Sequence, residues 1–259
     1  MAELDGRIAA ITGGTRGIGR GIAEAFLREG ANVVISGRDA QRGARAVSEI
    51  DGGDAVHFVQ GDVRIRADCD HLIDATVARF GSIDILVNNA GGSSNHAQVA
   101  ELTDEALEDA LKYNLWSTFW CTRKALGYMI PQQWGRIINI SSLEGKCGKP
   151  GVSIYVTAKH AVNGFTKACA HEVGRSGITV NSLCPGAIET DLMMSEGPRA
   201  AESMGMTYQQ LLEWYAKDSA IKRLNEVEDV AVVALLLASE AGAGITGSLI
   251  SIDGGTAPY

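Results

Sequence analysis

Residues 7–26 limit what this chain can fold into more than any other stretch. Arg7-Ile8-Ala9-Ala10-Ile11 is a short apolar run bounded by turn residues and reads as a buried strand. Thr12-Gly13-Gly14-Thr15-Arg16-Gly17-Ile18-Gly19 follows at once, and Ile22, Ala25 and Phe26 then recur at helical spacing. A strand, a glycine-rich turn and a helix in that order make a phosphate site. Glycine lets the backbone approach a pyrophosphate, and the helix N-terminus offers free N–H groups and positive potential. The glycines at 13, 17 and 19 follow T-G-x-x-x-G-x-G rather than G-x-G-x-x-G. Gly13, Thr15, Arg16, Gly17, Ile18 and Gly19 are therefore the expected contacts to a dinucleotide, although the same stretch alone also suits a purely structural turn.

Asn32 to Ser36 reads as the second strand and completes a βαβ unit. Its tip is Ser36-Gly37-Arg38-Asp39, with Gly37 where an acidic residue would accept from the ribose hydroxyls of NAD. Arg38 stands beside it and Arg16 lies in the glycine-rich turn. Two guanidinium groups there suit a ribose 2′-phosphate, so NADP(H) is the favoured cofactor. NAD(H) is the alternative, with Arg38 a solvated turn residue and Asp39 the cap of the next helix.

Further along, 39–50 reads as a helix and 55–60 as a third strand running into Gly61-Asp62-Val63. Two roles suit Asp62, a hydrogen bond to the adenine amino group and a cap on a helix over 64–79. A fourth strand at 83–87 leads into Asn88-Asn89-Ala90-Gly91, small and amide-rich where a strand must turn beneath a flat cofactor. The helical region from 103 to 130 is interrupted at Lys112-Tyr113-Asn114-Leu115. An asparagine in mid-helix is disfavoured by propensity, which points to a function for Asn114. Trp116, Phe119 and Trp120 beside it read as core.

The fifth strand, 136–140, ends just before Ser142, which places that hydroxyl at a carboxyl end of the sheet, where open α/β sheets keep their ligand crevice. Tyr155 and Lys159 are one helical turn apart, roughly 5–6 Å at Cβ. A phenol titrates at about 10 in water, and a neighbouring ammonium lowers that value toward useful acid–base chemistry. A sixth strand over 178–183 runs into Cys184-Pro185-Gly186-Ala187-Ile188-Glu189-Thr190. Sheet rhythm then stops until a helix at 226–239 and a last strand at 248–252. The insertion at about 188–220 holds Met193, Met194, Met204 and Met206, four of six methionines, with Trp214 and Tyr215 close by. Methionine-rich helices repack around a ligand, which suggests a mobile substrate lid; a dimer contact or ordinary packing is the alternative. Seven strand signals alternating with helices, undivided by any linker, give a single doubly wound α/β domain over 1–259.

Composition narrows the partners. A net charge of −8 argues against nucleic acid and anionic membrane, and no apolar run reaches the roughly 18 residues of a membrane span. The N-terminus lacks the basic and apolar regions of a signal peptide. Cys69, Cys121, Cys147, Cys169 and Cys184 are scattered and odd in number, which suits free thiols in a reducing cytoplasm. The five histidines show no ligand spacing, so no metal is expected. His96 lies in the loop after the fourth strand, on the substrate side.

In order and in spacing, Thr12-Gly13-x-x-x-Gly17-Ile18-Gly19, Asn88-Asn89-Ala90-Gly91, Asn114, Ser142, Tyr155-x-x-x-Lys159 and Pro185-Gly186 resemble the short-chain dehydrogenase/reductases along essentially the whole chain. The resemblance implies a seven-stranded parallel sheet with helices on both faces, usually in a homotetramer, and an oxidoreductase that passes a hydride between nicotinamide and a ketone or secondary alcohol. By matching position Tyr155 is the general acid/base, and Lys159 lowers its pKa and holds the nicotinamide ribose. Ser142 polarises the substrate oxygen, and Asn114 keeps a water that connects Lys159 to solvent. Thr190 closes on the cofactor; Gly13, Thr15, Arg16, Gly17, Ile18, Gly19, Arg38, Asp62, Val63, Asn89, Ala90, Gly91, Pro185, Gly186 and Ile188 line its path.

Within the family the chain looks nearest to 3-oxoacyl-acyl-carrier-protein reductases and 3-hydroxybutyrate dehydrogenases. It departs from the latter at Ser94, Glu144 and Ala187, where that group carries glutamine, histidine and tryptophan. Ser142, Glu144, Tyr155 and His96 are the expected substrate contacts, and the acidic Glu144 disfavours a small hydroxy acid. The expected activity is NADP(H)-dependent carbonyl reduction. The alternatives are an NAD-dependent dehydrogenase of a hydroxy acid or cyclic alcohol and, remotely, a non-catalytic dinucleotide sensor.

Overall fold

The computed structural model describes residues 2–92 and 96–257, with only the backbone at residue 203. Its seven strands are β1 (Ile8–Ile11), β2 (Asn32–Gly37), β3 (Val56–Gln60), β4 (Ile85–Asn88), β5 (Gly135–Ile140), β6 (Ile178–Pro185) and β7 (Leu249–Ile252). They form one sheet in the order β3-β2-β1-β4-β5-β6-β7, every pair parallel. Parallel strands buried on both faces read as continuous apolar runs, and β1, β4 and β5 are buried at every position.

Helices close both faces. On one side α1 (Gly17–Arg28), α2 (Ala40–Ile50) and α9 (Val227–Ala238) bury Ile22, Phe26, Ala46, Val230 and Leu237 against Ile11, Val33 and Ile35. On the other, α3 (Arg66–Phe80), α5 (Ser117–Gln132) and α6 (Ser153–Val173) bury Leu72, Ile73, Met129 and Val173 against Val34, Leu86 and Ile137. Among the described residues no helix is long and apolar enough to cross a membrane. Between α4 (Asp104–Leu111) and α5 lies one π-helical turn, Lys112–Trp116, which accounts for the interruption expected there. The insertion folds as two helices, α7 (Asp191–Ser203), capped by Thr190, and α8 (Tyr208–Asp218), opened by a Thr207–Gln210 capping box.

Strand order reverses between β1 and β4, and the crevice opens there, at the carboxyl ends. Beneath it runs a buried polar network. Asn88 donates to Asn139 Oδ1 (2.9 Å) and Thr122 Oγ1 (3.0 Å), Asn139 donates to Thr166 Oγ1 (2.8 Å), and Thr166 meets Ser182 Oγ (2.8 Å). It ties the ends of β4, β5 and β6 to α5 and α6, the elements that carry the site. Replacing Asn139, which is fully buried, leaves donor and acceptor stranded on both sides. Asn139→Ala is expected to cost about 1–3 kcal/mol, read as a loss of roughly 2–4 °C in Tm per kcal/mol by circular dichroism. An unchanged melting curve would show that the network is not structural.

Candidate active site

The glycine-rich turn after β1 delivers bare backbone to the crevice. Gly13 and Gly17 have φ of 65° and 54°, in the left-handed region. A Cβ on Gly13 would stand 3.1 Å from Asn89 Nδ2, and one on Gly19 would strike the Asn89 amide and the Gly13 carbonyl. Asn89 holds the turn: its Nδ2 donates to Thr12 O (2.9 Å) and Gly13 O (3.1 Å), and Thr12 Oγ1 accepts from the N–H groups of Asn89 and Ala90 (2.9 Å each). The N-cap of α1, Arg16, makes no side-chain cap, so the first N–H groups of the helix are left for an anion.

One cavity of about 950 Å³ runs from this turn to the insertion. Gly13, Thr15, Arg16, Gly17, Ile18, Arg38, Asp62, Val63, Asn89, Ala90, Gly91, Pro185, Gly186, Ile188 and Thr190 line it, as do Ser142, Glu144, Tyr155 and Lys159. Gly19 and Asn114 sit behind the lining: Gly19 is buried in α1, and Asn114 is buried beneath Gly91. His96 is exposed and does not line the cavity, and Ser94 lies outside the described residues.

At the β2 tip, Gly37 leaves no carboxylate, and a Cβ there would stand 3.0 Å from Thr15 Cγ2. Asp39 caps α2, its Oδ1 accepting from Arg42 N (3.0 Å). Arg42 joins Arg16 and Arg38 along the cavity wall, a third arginine that the sequence reading passed over. Its position in the first turn of α2, three residues past the cap, was the available signal. None of the three is held in an ion pair among the described residues. Asp62 is engaged otherwise, since its carboxylate accepts from Arg64 N (3.0 Å) and Arg64 Nη2 (3.0 Å) just ahead of α3. Bare glycine backbone, an uncapped helix and unpaired guanidinium groups together fit a dinucleotide.

Tyr155 and Lys159 project from the first turns of α6. Lys159 is buried, and its Nζ donates to Ile140 O (2.9 Å) and stands 5.6 Å from the centre of the Tyr155 ring. A Cβ on Gly91 would come within 2.6 Å of Asn114 Oδ1 and 3.1 Å of Lys159 Nζ, so glycine is what lets these groups gather. Asn114, placed by the π-turn, donates to Gly92 O and Ala110 O (2.9 Å each) and accepts from Gly92 N (3.0 Å). Burial lowers Lys159 to about 8, against the opposing pull of Cys184 and Glu144. Burial also pushes the Tyr155 phenol well above its ordinary range; a hydrogen bond with Ser142 opposes this, while Glu144 and Tyr113 add to it. The expected lowering of Tyr155 by Lys159 is not met in the protein alone, because both groups lose solvation and each shifts toward its neutral form.

Ser142 Oγ donates to Glu144 Oε2 (2.5 Å) and accepts from Glu144 N (3.3 Å). Glu144 Oε1 accepts in turn from Lys149 Nζ (3.4 Å), which also donates to Tyr215 Oη (3.3 Å) on α8. Leu192, Met193, Trp214 and Tyr215 complete the wall. Only Met193 of the insertion's four methionines lines it. Met194, the next residue in α7, and Met204 at the C-cap of that helix are both exposed. The C-terminal turn, Asp253 with Thr256 and Ala257, also reaches the cavity, and no local pattern in the sequence signals it.

The Lys159 shift has a definite sign. Between about 8 and the ordinary 10.5 the unfolded chain holds a proton that the folded chain has released, so stability rises with pH across that window. Urea unfolding of the wild type and Lys159→Met is expected to diverge in favour of the wild type, by on the order of 1–2 kcal/mol, between pH 7 and about pH 9.5. Parallel profiles would refute the buried-charge account.

The comparisons agree with this geometry. A family model described as short chain dehydrogenase matches residues 7–201. A D-beta-hydroxybutyrate dehydrogenase of Rhizobium meliloti (strain 1021) is 38% identical over 254 residues, 96% of this chain and 98% of that protein. A 3-oxoacyl-[acyl-carrier-protein] reductase of Aquifex aeolicus (strain VF5) is 35% identical over 98% of both chains. Among solved structures, a variant of the actinorhodin polyketide ketoreductase with NADPH superposes with a TM-score of 0.94 at 34% identity, covering 100% of both chains. The chain belongs to the short-chain dehydrogenase/reductase family, and it is an oxidoreductase that acts on keto and CH–OH groups with a nicotinamide dinucleotide.

Proposed function

We propose that the chain is an NADP(H)-dependent reductase of ketones. The observation that carries the cofactor reading is the group of Arg16, Arg38 and Arg42 at a β2 tip that offers no free carboxylate. Guanidinium forks pair with a phosphate bidentately, whereas the ribose hydroxyls of NAD call for an acceptor. When bound, the nicotinamide supplies the hydride.

This chain's residues do the rest. Tyr155, held above its ordinary range, carries its proton at neutral pH and gives it from Oη to the substrate oxygen. Ser142 donates to the same oxygen once its hydroxyl rotates away from Glu144. Lys159, near neutrality in its titration, sits where it can return a proton toward Tyr155, and Asn114 fixes the Gly91–Gly92 backbone around it. The helices over 188–220 act as a lid whose latch is the Lys149–Tyr215 contact. Five free cysteines suit the reducing cytoplasm.

Two separated apolar faces support a homotetramer built as a dimer of dimers. One carries Trp116, 44% exposed and stacked on Trp120, and the other carries Val232 and Leu236 of α9, 57% and 42% exposed. Sedimentation velocity is expected to give a tetramer for the wild type and a smaller species for Trp116→Glu; a wild-type monomer would refute the assembly.

The cofactor reading is tested by titrating NADPH and NADH separately, following nicotinamide fluorescence. NADPH is expected to bind at least about tenfold more tightly, or ~1.4 kcal/mol. Arg38→Ala should remove most of that difference and leave NADH nearly unchanged. A wild-type preference for NADH would overturn the proposal, and binding of neither would favour a non-catalytic protein.

A further inference from the structure

The two parts of the cavity differ in charge. At the β2 tip stand Arg16, Arg38 and Arg42, with Asp39 and Asp62 already engaged by Arg42 N and Arg64, whereas Glu144 beside Ser142, Asp218 of α8 and Asp253 beside Gly186 line the other part. The cations that line this second part are already engaged. Lys149 is held by Glu144 and Tyr215, and Arg223 pairs with Asp229 (3.0 Å). Lys159 donates to the Ile140 carbonyl beneath Tyr155. Among the described residues that line this second part, no cation is left over for an anionic substrate.

Glu144 is the acid nearest the chemistry. Its carboxylate is one hydrogen bond from Ser142 Oγ, and its side chain is 17% exposed. Lys149 arches over it from the neighbouring loop and lies 4.9 Å over the Tyr215 ring and 5.8 Å over the Trp214 ring. That clamp fixes the carboxylate in place and leaves it an acceptor pointed at the Ser142 hydroxyl. A substrate oxygen that takes the Ser142 hydrogen bond therefore lies close to a fixed negative charge. Any second anion on a short substrate enters the same half-buried space, where like charges repel more strongly than in water. Leu143, Leu192, Met193 and Trp214 offer apolar surface for the remainder of the substrate.

We propose that Glu144, clamped by Lys149, is a specificity-determining residue that admits neutral ketones with an apolar body and excludes oxo acids bearing a free carboxylate near the carbonyl. The inference rests on the carbonyl-reductase reading above and deepens it. It also separates this chain from the hydroxy acid named in its 38%-identical relative.

Acetoacetate and ethyl acetoacetate make a matched pair of probes, differing in one carboxylate. With purified full-length protein and NADPH, the ester is expected to exceed the acid in kcat/KM by at least about tenfold. Glu144→Gln keeps an acceptor for Ser142 but removes the charge, and it should narrow the ratio to within roughly threefold, chiefly by raising the acid. A wild-type preference for acetoacetate, abolished in Lys149→Met, would show that Lys149 leaves Glu144 to bind the substrate, and would overturn the proposal. So would a ratio unchanged by Glu144→Gln. Where neither probe turns over, their binding to the NADPH complex by fluorescence quenching decides; equal binding, tighter binding of the acid, or binding of neither also overturns it. Failure of the underlying reading looks different: NADPH does not bind, or Tyr155→Phe leaves turnover intact.

Discussion

Two hydrogen bonds from one side-chain amide hold the crevice open. At the point where strand order reverses, β1 and β4 lie side by side while the helices that follow them leave on opposite faces. Asn89, just past β4, reaches across and donates to the carbonyls of Thr12 and Gly13, and Thr12 returns its hydroxyl to the backbone of residues 89 and 90. The glycine-rich turn is thereby fixed through its backbone and the Thr12 hydroxyl. Gly13 and Gly19 must lack a Cβ because Asn89 occupies the space it would need. The uncapped start of α1 therefore meets the crevice beside a turn that this one cross-strand staple holds in place.

The catalytic end works on a different balance. Tyr155 and Lys159 are removed from water together, and each is driven toward its neutral form. A neutral phenol is a proton donor, and a lysine that titrates at about 8 exchanges its proton close to physiological pH. Glu144 pushes both groups toward protonation: its negative charge opposes the phenolate and favours the ammonium. The carboxylate therefore acts at a distance on the protonation of both groups, as well as on Ser142 through its hydrogen bond.

Much of this was legible in the sequence because the fold is written locally. Apolar strand runs, the glycine-rich turn and the Tyr155–Lys159 spacing each require only neighbours in the chain, and the seven strands lie close to where the pattern puts them. Asn114 was legible as an anomaly, an asparagine out of place in a helix, and the structure resolves it as a π-turn. What was not legible depends on contacts between distant segments. Asn89 read as a residue beneath the cofactor, yet its bonds go to the glycine-rich turn 76 and 77 residues earlier. No local pattern singles out Lys149, and only the fold brings Tyr215 to it from 66 residues away. The methionines of the insertion show a further limit: composition marked the segment, but which of them meets the cavity depends on how α7 is set on the fold, and of the four only Met193 lines the wall.

The chain Ser142–Glu144–Lys149–Tyr215 joins these two levels, since it links the Ser142 hydroxyl to α8 on the cavity wall. Ser142 has a single proton, and it cannot serve Glu144 and a substrate oxygen together. When the hydroxyl turns to the substrate, Glu144 loses its donor, and the remaining partner for its charge is Lys149. One ammonium on a flexible stem divides its donors between a carboxylate and a phenol, so a stronger Lys149–Glu144 pair comes at the expense of Lys149–Tyr215. If the insertion is the lid proposed above, a substrate oxygen that takes the Ser142 proton would loosen its hold on the loop after β5, and release of product would restore it. The carboxylate proposed to sort substrates by charge would then also couple occupancy of the site to the position of its cover.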